Sequence, residues 1–263
     1  MQNTKPSLCI AVLTHNEAHQ IERCLRSAQF ADQLVVADSG STDATVELAK
    51  ALGAEVFSYP DWQGFGEQRN RLLRHVSTDY VFFLDADECI DPPLQAEIQR
   101  LVQDQQAGPW RVKWRAYAFG RPLGMMRQPS GVVRLFQTRD IVQFHGVVHE
   151  WAELKGPKRS IQTLKNRLNH YSRDTVHQSL QKLAQYAAAG AVKRRAAGKR
   201  GGIARGLASA TASFLKTYFW HLGFLCGPQG FLYCLLVALE CFFRYVAVRY
   251  DPAEAPGSLT TRS

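Results

Sequence analysis

A chain of 263 residues is long enough for an α/β domain carrying an appendage, and such a domain buries a substantial core. Its formal net charge of +9 suits nucleic acid, an anionic membrane surface or phosphate-bearing substrates without choosing among them. The six cysteines form no C-x-x-C pair, which argues against a structural zinc, and the opening M-Q-N-T-K-P-S lacks the apolar core of a signal peptide, so reduced thiols and a cytoplasmic location are expected.

Residues 8–14 (L-C-I-A-V-L-T) read as an apolar strand, followed by His15, Asn16 and Glu17 and a helix whose inward face is Ile21, Cys24, Leu25 and Ala28. Residues 33–37 form a second strand that ends in D-S-G-S-T-D (38–43). Glycine there serves a turn, and Ser or Thr caps a helix that runs to Leu52 and stops at Gly53. A short strand follows at 55–58 and a polar helix at 64–76. Residues 80–91, Y-V-F-F-L-D-A-D-E-C-I-D, read as a buried parallel strand running into a carboxylate cluster. Strands alternating with helices at this spacing mean a Rossmann-like, mostly parallel sheet flanked by helices.

Pro92 and Pro93 open a helix to about Gln106. Residues 110–119, 132–136 and 147–154 then alternate as antiparallel strands, with 120–131 a mobile loop over the mouth of the site. From Arg173 the chain is expected to be helical, and residues 193–205 hold six cations: Lys193, Arg194, Arg195, Lys199, Arg200 and Arg205. The apolar, aromatic stretches 214–224 and 231–248 follow, broken by Pro228 and containing Glu240 and Arg244. Too short in their uncharged parts to span a bilayer, they are read as lying on one, the alternative being a helical hairpin packed on the domain. Residues 251–263 read as a disordered tail.

Open α/β sheets bind ligands beyond the carboxyl ends of their strands, and T-H-N-E, D-S-G-S-T-D, Q-R-N (68–70) and D-A-D-E (85–88) all fall on that edge. An acid for a base or ribose (Asp38), an arginine and helix N-termini for phosphate (Arg69), and acids for a cation (Asp85, Asp87) together describe a nucleotide diphosphate held through a metal. Asp85 and Asp87 stand two apart and on extended chain would face the same way, although a solvated acid cluster gives the same pattern. There is no G-x-x-x-x-G-K-[ST] and no G-x-G-x-x-G, which weighs against an NTPase or a dinucleotide oxidoreductase.

These four motifs, in this order, resemble the family 2 glycosyltransferases of the GT-A fold. The likeness continues through V-R-L-F (133–136) and G-V-V-H-E (146–150) to the aromatic C-terminal segment, and points to the lipopolysaccharide-core β-glucosyltransferase branch, the WaaE type. The resemblance implies inverting transfer from a nucleotide-diphosphate sugar, UDP-glucose expected, with Mg²⁺ or Mn²⁺ as cofactor. It implies that Thr14 and Glu17 line the nucleotide pocket, that Asp38 binds the base, that Asp85 binds ribose or metal, and that Asp87 binds the metal. Asn16, Ser39, Gly40, Arg69, Asn70 and Ala86, from the same motifs, are expected to contact the nucleotide sugar. Residues 1–172 would be the catalytic domain, 173–250 the basic and aromatic helical region and 251–263 the tail.

Inversion requires a base for the acceptor hydroxyl, and Glu150 is the candidate, against a purely structural role. His149 is read as orienting the diphosphate and Arg134 as a phosphate or acceptor ligand, because its charge needs an anion. Asp43 reads as a helix N-terminal acid. The expected acceptor is a lipid-linked glycan at the inner face of the bacterial inner membrane, where the chain would be peripheral on an anionic surface. A polyprenyl-phosphate acceptor is the second reading. Nucleic acid is not an expected partner, because the cations gather beside an aromatic segment and on no recognisable reading element.

Overall fold

The computed structural model describes residues 5–127, 131–147, 150–157 and 159–251. The first half alternates as expected: β1 (Leu8–Thr14), α1 (Ala18–Arg26), β2 (Gln33–Asp38), α2 (Thr45–Ala51), β3 (Glu55–Ser58), α3 (Phe65–Leu73) and β4 (Tyr80–Asp85). A two-residue β5 (Glu88–Cys89) precedes α4 (Pro92–Gln103), whose N-cap Asp91 accepts a hydrogen bond from the Leu94 N–H at 3.1 Å. Then come β6 (Trp110–Ala118), β7 (Arg121–Pro122), β8 (Val132–Gln137), β9 (Ile141–His145), β10 (Trp151–Leu154) and β11 (Gln162–Arg173). The main sheet has the order β3-β2-β1-β4-β8-β6-β11-β5, with β7 on β6. Its β3-β2-β1-β4 half is parallel, whereas β8 runs antiparallel to β4 and to β6.

The parallel half is apolar throughout because both of its faces are covered. From β1, Ile10 and Val12 point into a core shared with Ile21 and Leu25 of α1 and Leu94, Ile98 and Val102 of α4. Cys9, Ala11 and Leu13 point the other way, to Leu72 of α3, Phe83, Phe136 and Phe144. The period of two along one strand thus feeds two cores.

Several expectations are corrected. The helix α2 has no Ser or Thr cap; Ala44 stands at the N-cap, and the Asp43 carboxylate instead accepts from the Thr45 and Ala18 N–H groups, both at 3.1 Å. This makes Asp43 an N-terminal acid to two helices. Strands β9 and β11 were not anticipated. Among the described residues of the strand expected over 147–154, Trp151–Leu154 is extended, and it pairs with β9 in a separate two-stranded sheet; residues 148 and 149 lie outside the described residues. The chain is still a strand at Arg173, and the following helix starts at Val176 behind Thr175.

By its contacts the chain divides into one unit of residues 1–114 and 129–170 and another of residues 115–128 and 171–263, so the 115–128 stretch groups with the C-terminal helices. In the second unit Leu123 and Met126 are buried with Ala116, Ala118 and Cys234, against the expectation of a loose loop at 120–131. Its helices are α5 (Val176–Ala196), α6 (Ile203–Leu215) and α7 (Gly227–Tyr250), and α7 packs on both others. The Arg195 guanidinium donates to carbonyls at the end of α7, to Val248 at 3.2 Å, Asp251 at 2.7 Å and Ala247. Glu240, inside α7, pairs with Arg244 and lies 3.7 Å from Arg173. The sequence reading treated this charge as an interruption. Among the described residues, the stretch Gly223–Tyr250 is nonetheless long and apolar enough, by length and composition alone, to cross a membrane.

Helix α3 begins at Gly64, whose φ of 103° favours glycine, and its first turn rests on backbone: Phe65 N–H donates to the Val147 carbonyl at 2.9 Å and Gly66 N–H to the Gly146 carbonyl at 3.0 Å. A Cβ on Gly66 would stand 2.7 Å from the Gly146 oxygen. Gly→Ala in an exposed helix gains about 1 kcal/mol. Here the sign should reverse, with Gly66→Ala costing on the order of 1–3 kcal/mol and lowering the melting temperature by several degrees. A melting temperature equal to or above wild type would show that the helix does not depend on this approach.

Candidate active site

Parallel register brings the carboxyl ends of β1, β2 and β4 level, with Thr14 beside Asp38 and Leu13 beside Asp85. The loops after β1 and β2 are sewn together. Asn16, at a left-handed φ of 52°, donates its N–H to the Ser41 hydroxyl at 2.8 Å and accepts from the Thr42 N–H on its side-chain oxygen at 2.8 Å. Glu17 N–H donates to the Thr45 hydroxyl at 2.8 Å, and Ser39 N–H to the Thr14 carbonyl at 3.0 Å. Asp38 is buried and accepts from the N–H groups of Gly40 at 3.0 Å and Ser41 at 2.9 Å and from the Ser41 hydroxyl at 2.5 Å. Expected at a base, its carboxylate holds its own turn. The buried Thr14 hydroxyl has no hydrogen-bond partner among the described residues.

A second cluster is ionic. Asp85, at the end of β4, takes Arg134 of β8 at 2.5 Å on one oxygen and Arg69 of α3 at 3.3 Å on the other. Arg69 reaches on to Glu150 through both Nε and Nη2 at 2.9 Å, over the Phe83 ring. Arg134 also donates to Glu88 at 2.9 Å, and Glu88 accepts from the Trp114 indole at 2.6 Å and from the Asp85 N–H at 2.9 Å. Burial pushes the Asp85 carboxyl up, but Arg134 and Arg69 outweigh it and hold the group below its usual range. For Glu88 burial wins over the attraction of Arg134, and its pKa is raised. Arg134 is thus held by carboxylates of the fold, where a phosphate or acceptor ligand was expected.

Asp87 does not follow Asp85 in the way the D-x-D spacing suggested. The strand stops at Asp85 and Ala86-Asp87 form a turn, so the two carboxylates take different partners. The Asp87 carboxylate lies 3.4 Å from Nε2 of His170 on β11. For a divalent cation, the oxygens of Asp85 are spent on guanidinium groups, and among the described residues no cluster of three or more His, Cys, Asp or Glu side chains is arranged to hold a metal. Asp87 with His170 fits a cation that draws its remaining ligands from phosphate and water, the habit of Mg²⁺ in nucleotide sites.

A cavity of about 880 Å³ opens beside the ionic cluster. Of the residues expected at the site it is lined by Arg69, Asp85, Arg134 and Glu150; Thr14, Asn16, Glu17, Asp38, Ser39, Gly40, Asn70, Ala86 and Asp87 are not in its wall. Asn70 is occupied structurally, donating to the Phe144 carbonyl at 3.0 Å and accepting from its N–H at 2.6 Å. Ala86 is buried, with its N–H on the Leu13 carbonyl. His149 lies outside the described residues. Sequence reasoning missed His170, Trp114, Arg111 and Trp151. The signal for His170 was a lone histidine in L-N-H-Y, on a strand whose leucines recur every four residues and so hide its period of two.

A family model described as glycosyl transferase family 2 matches residues 9–161. The chain is 27% identical over 255 residues to the lipopolysaccharide core biosynthesis glycosyltransferase LpsC of Rhizobium meliloti (strain 1021), covering 90% of each. It is 28% identical to an uncharacterized glycosyltransferase of Rickettsia bellii (strain RML369-C), covering 90% of this chain and 84% of that one. Among solved structures it resembles S. aureus TarS 1–349 in complex with UDP-GlcNAc, with 19% identity, a TM-score of 0.48 and 66% of this chain matched to 60% of that one. It also resembles glucosyl-3-phosphoglycerate synthase of Mycobacterium tuberculosis in complex with Mn²⁺, UDP and glucosyl-3-phosphoglycerate, with 25% identity, a TM-score of 0.39, and 52% of this chain matched to 58% of that one.

The His170–Asp87 pair makes a pH prediction. Burial lowers the imidazole pKa, yet Asp87, through its charge and its hydrogen bond, raises it above the usual 6.5. A raised folded-state pKa contributes stability that is full below about pH 6.5 and is lost as pH climbs through the folded value. The melting-temperature gap between the metal-free wild type and His170→Gln should therefore be wider at about pH 5.5 than at about pH 9, and this pH dependence should shrink in an Asp87→Asn background. A gap independent of pH would remove this pair from the account.

Proposed function

The chain belongs to glycosyl transferase family 2, and on that premise we propose that it is an inverting, metal-dependent hexosyltransferase. The donor in this reading is a nucleotide-diphosphate sugar, UDP-glucose first. The acceptor is a lipid-linked glycan such as the lipopolysaccharide inner core, which the similarity to LpsC along 90% of both chains supports. The observation that carries the reading is Glu150, in the wall of an 880 Å³ cavity and fixed through Arg69 to Asp85 at the carboxyl end of a parallel strand.

The chemistry follows from that constellation. The acceptor hydroxyl oxygen bonds to the anomeric carbon, the bond from that carbon to the diphosphate oxygen breaks on the opposite face with its electron pair, and Glu150 takes the hydroxyl proton. One hydrogen bond from Arg69 Nε and an ion-pair contact from its Nη2, both to Glu150 Oε1, anchor that oxygen and favour a restricted attack geometry. Asp87 and His170 would hold Mg²⁺ or Mn²⁺, whose charge, when bound, offsets that of the leaving diphosphate. The loops carrying Thr14, Asn16, Glu17, Ser39 and Gly40 remain the proposed nucleotide side, as preformed backbone more than as free side-chain ligands.

Work at the cytoplasmic face of a membrane is part of the proposal. In the second unit Leu215, Phe219, Trp220, Phe224, Leu225 and Phe231 are all exposed, Trp220 at 71%, and the cations of residues 193–205 accompany them in sequence. Aromatic side chains with neighbouring cations suit an anionic interface. A polyprenyl-phosphate acceptor is the second reading, favoured by the length and apolarity of Gly223–Tyr250.

A screen of nucleotide sugars by thermal shift tests the donor, with UDP-glucose and Mn²⁺ together expected to stabilise the chain by about 2.7 kcal/mol at a hundred times Kd. In the same system Glu150→Gln should lower kcat by a factor on the order of 10² to 10⁴ with donor Kd nearly unchanged. Absence of any nucleotide-sugar response ends the proposal, and turnover above about a tenth of wild type in Glu150→Gln ends the role of that residue. Separately, wild type should sediment with anionic vesicles at physiological salt and not bind random duplex DNA, and Phe219→Ala with Trp220→Ala should weaken sedimentation several-fold. Equal binding to DNA and vesicles would mark the surface as merely cationic.

A further inference from the structure

Among the described residues, the cavity beside Glu150 has a charge without a counter-ion, that of Arg111. Its wall carries Arg69, Arg111, Arg134 and Arg159 against Asp85, Glu150 and Glu153. Arg69 and Arg134 are held by Asp85, Glu150 and Glu88; Arg159 pairs with Asp140; Glu153 lies 2.7 Å from His145. Arg111 has no acidic partner among the described residues, and its Nε is inaccessible to solvent and has no acceptor there. It stands on β6 opposite Val133, which shares the cavity wall. An arginine fork kept partly out of water without an anion is costly, and the guanidinium is shaped for two-point contact with a carboxylate or phosphate.

Trp114 and Trp151 border the same space, and Trp151 is 58% exposed, stacked on His145 at 4.5 Å between centroids. A flat aromatic face beside a cation suits a ring that is apolar on one side and charged at one substituent. We propose that this cavity is the acceptor subsite and that Arg111 selects an acceptor sugar bearing an anionic group, a phosphate ester or a carboxylate. The inference rests on the glycosyltransferase reading of Glu150, since the sugar hydroxyl that reacts must come to that carboxylate.

The test uses the full chain with UDP and Mn²⁺ present and three probes, glucose, glucose 6-phosphate and glucuronate, with binding read by ligand-observed NMR titration. Wild type should bind at least one anionic probe about tenfold or more tighter than glucose, as a charge-assisted two-point contact requires. Tighter binding of the phosphate assigns the group to a phosphate ester, and tighter binding of the glucuronate to a carboxylate. The preference should vanish in Arg111→Gln and return in part in Arg111→Lys, with glucose binding unchanged in both. Equal affinity for all three probes in wild type overturns the proposal without needing a variant, as does a preference that survives in a folded Arg111→Gln. Nucleotide-sugar stabilisation of the wild type, measured alongside, separates the two readings: its loss defeats the glycosyltransferase assignment, whereas its presence with no anion preference defeats only the role of Arg111.

Discussion

The grip of Arg69 and Arg134 on Asp85 is the constraint from which the rest of the site takes its position. These groups come from a helix, an antiparallel strand and the end of a parallel strand, far apart in sequence, and Glu88 and Glu150 extend the chain of charges on either side. With all five ionised, three carboxylates face two guanidinium groups, leaving one negative charge in excess. Glu88 is the most deeply buried of the acids and the one whose pKa is raised, so the excess is most easily relieved there. Removing one member of such a set strands its partner in a poorly solvated place, which costs more than the pair itself contributes.

Two cores on opposite faces of the parallel strands make this cluster possible. Because β1 and β4 are apolar on both sides, the first polar residues after their apolar runs, Thr14 and Asp85, emerge one residue apart in register, and the sheet edge becomes a line of acids and hydroxyls. The same two-sided burial made that half of the fold legible in the sequence: unbroken apolar runs followed by helices have few other solutions. Past residue 104 the signal weakened. The strand β9 reads I-V-Q-F-H, with only Ile141 and Phe144 buried, and β11 alternates poorly, so neither announced itself.

The site was legible in part, and its illegible part has one physical cause. A polar residue at a strand end can satisfy its hydrogen bonds with a ligand or with the fold, and sequence does not say which. Asp38, Asn70 and Arg134 are spent largely on the fold, as turn, clamp and ion pair. Asp85 and Asp87 share a motif but not a direction, because the backbone turns between them. His170 comes to the site from a strand about eighty positions away, a juxtaposition that only the sheet order creates.

The first turn of α3 is bonded to the backbone at Gly146 and Val147, and its Asn70 closes on Phe144 with both a donor and an acceptor. The helix that supplies Arg69 and the segment that leads to Glu150 are therefore joined along their backbones before their side chains meet. Inherited or engineered change in this protein must treat residues 64–73 and 141–150 as a single cassette. Grafting the second alone onto a related scaffold would bring in a carboxylate without the helix that aims it, and recombination that parts the two would yield folded chains with a misdirected site.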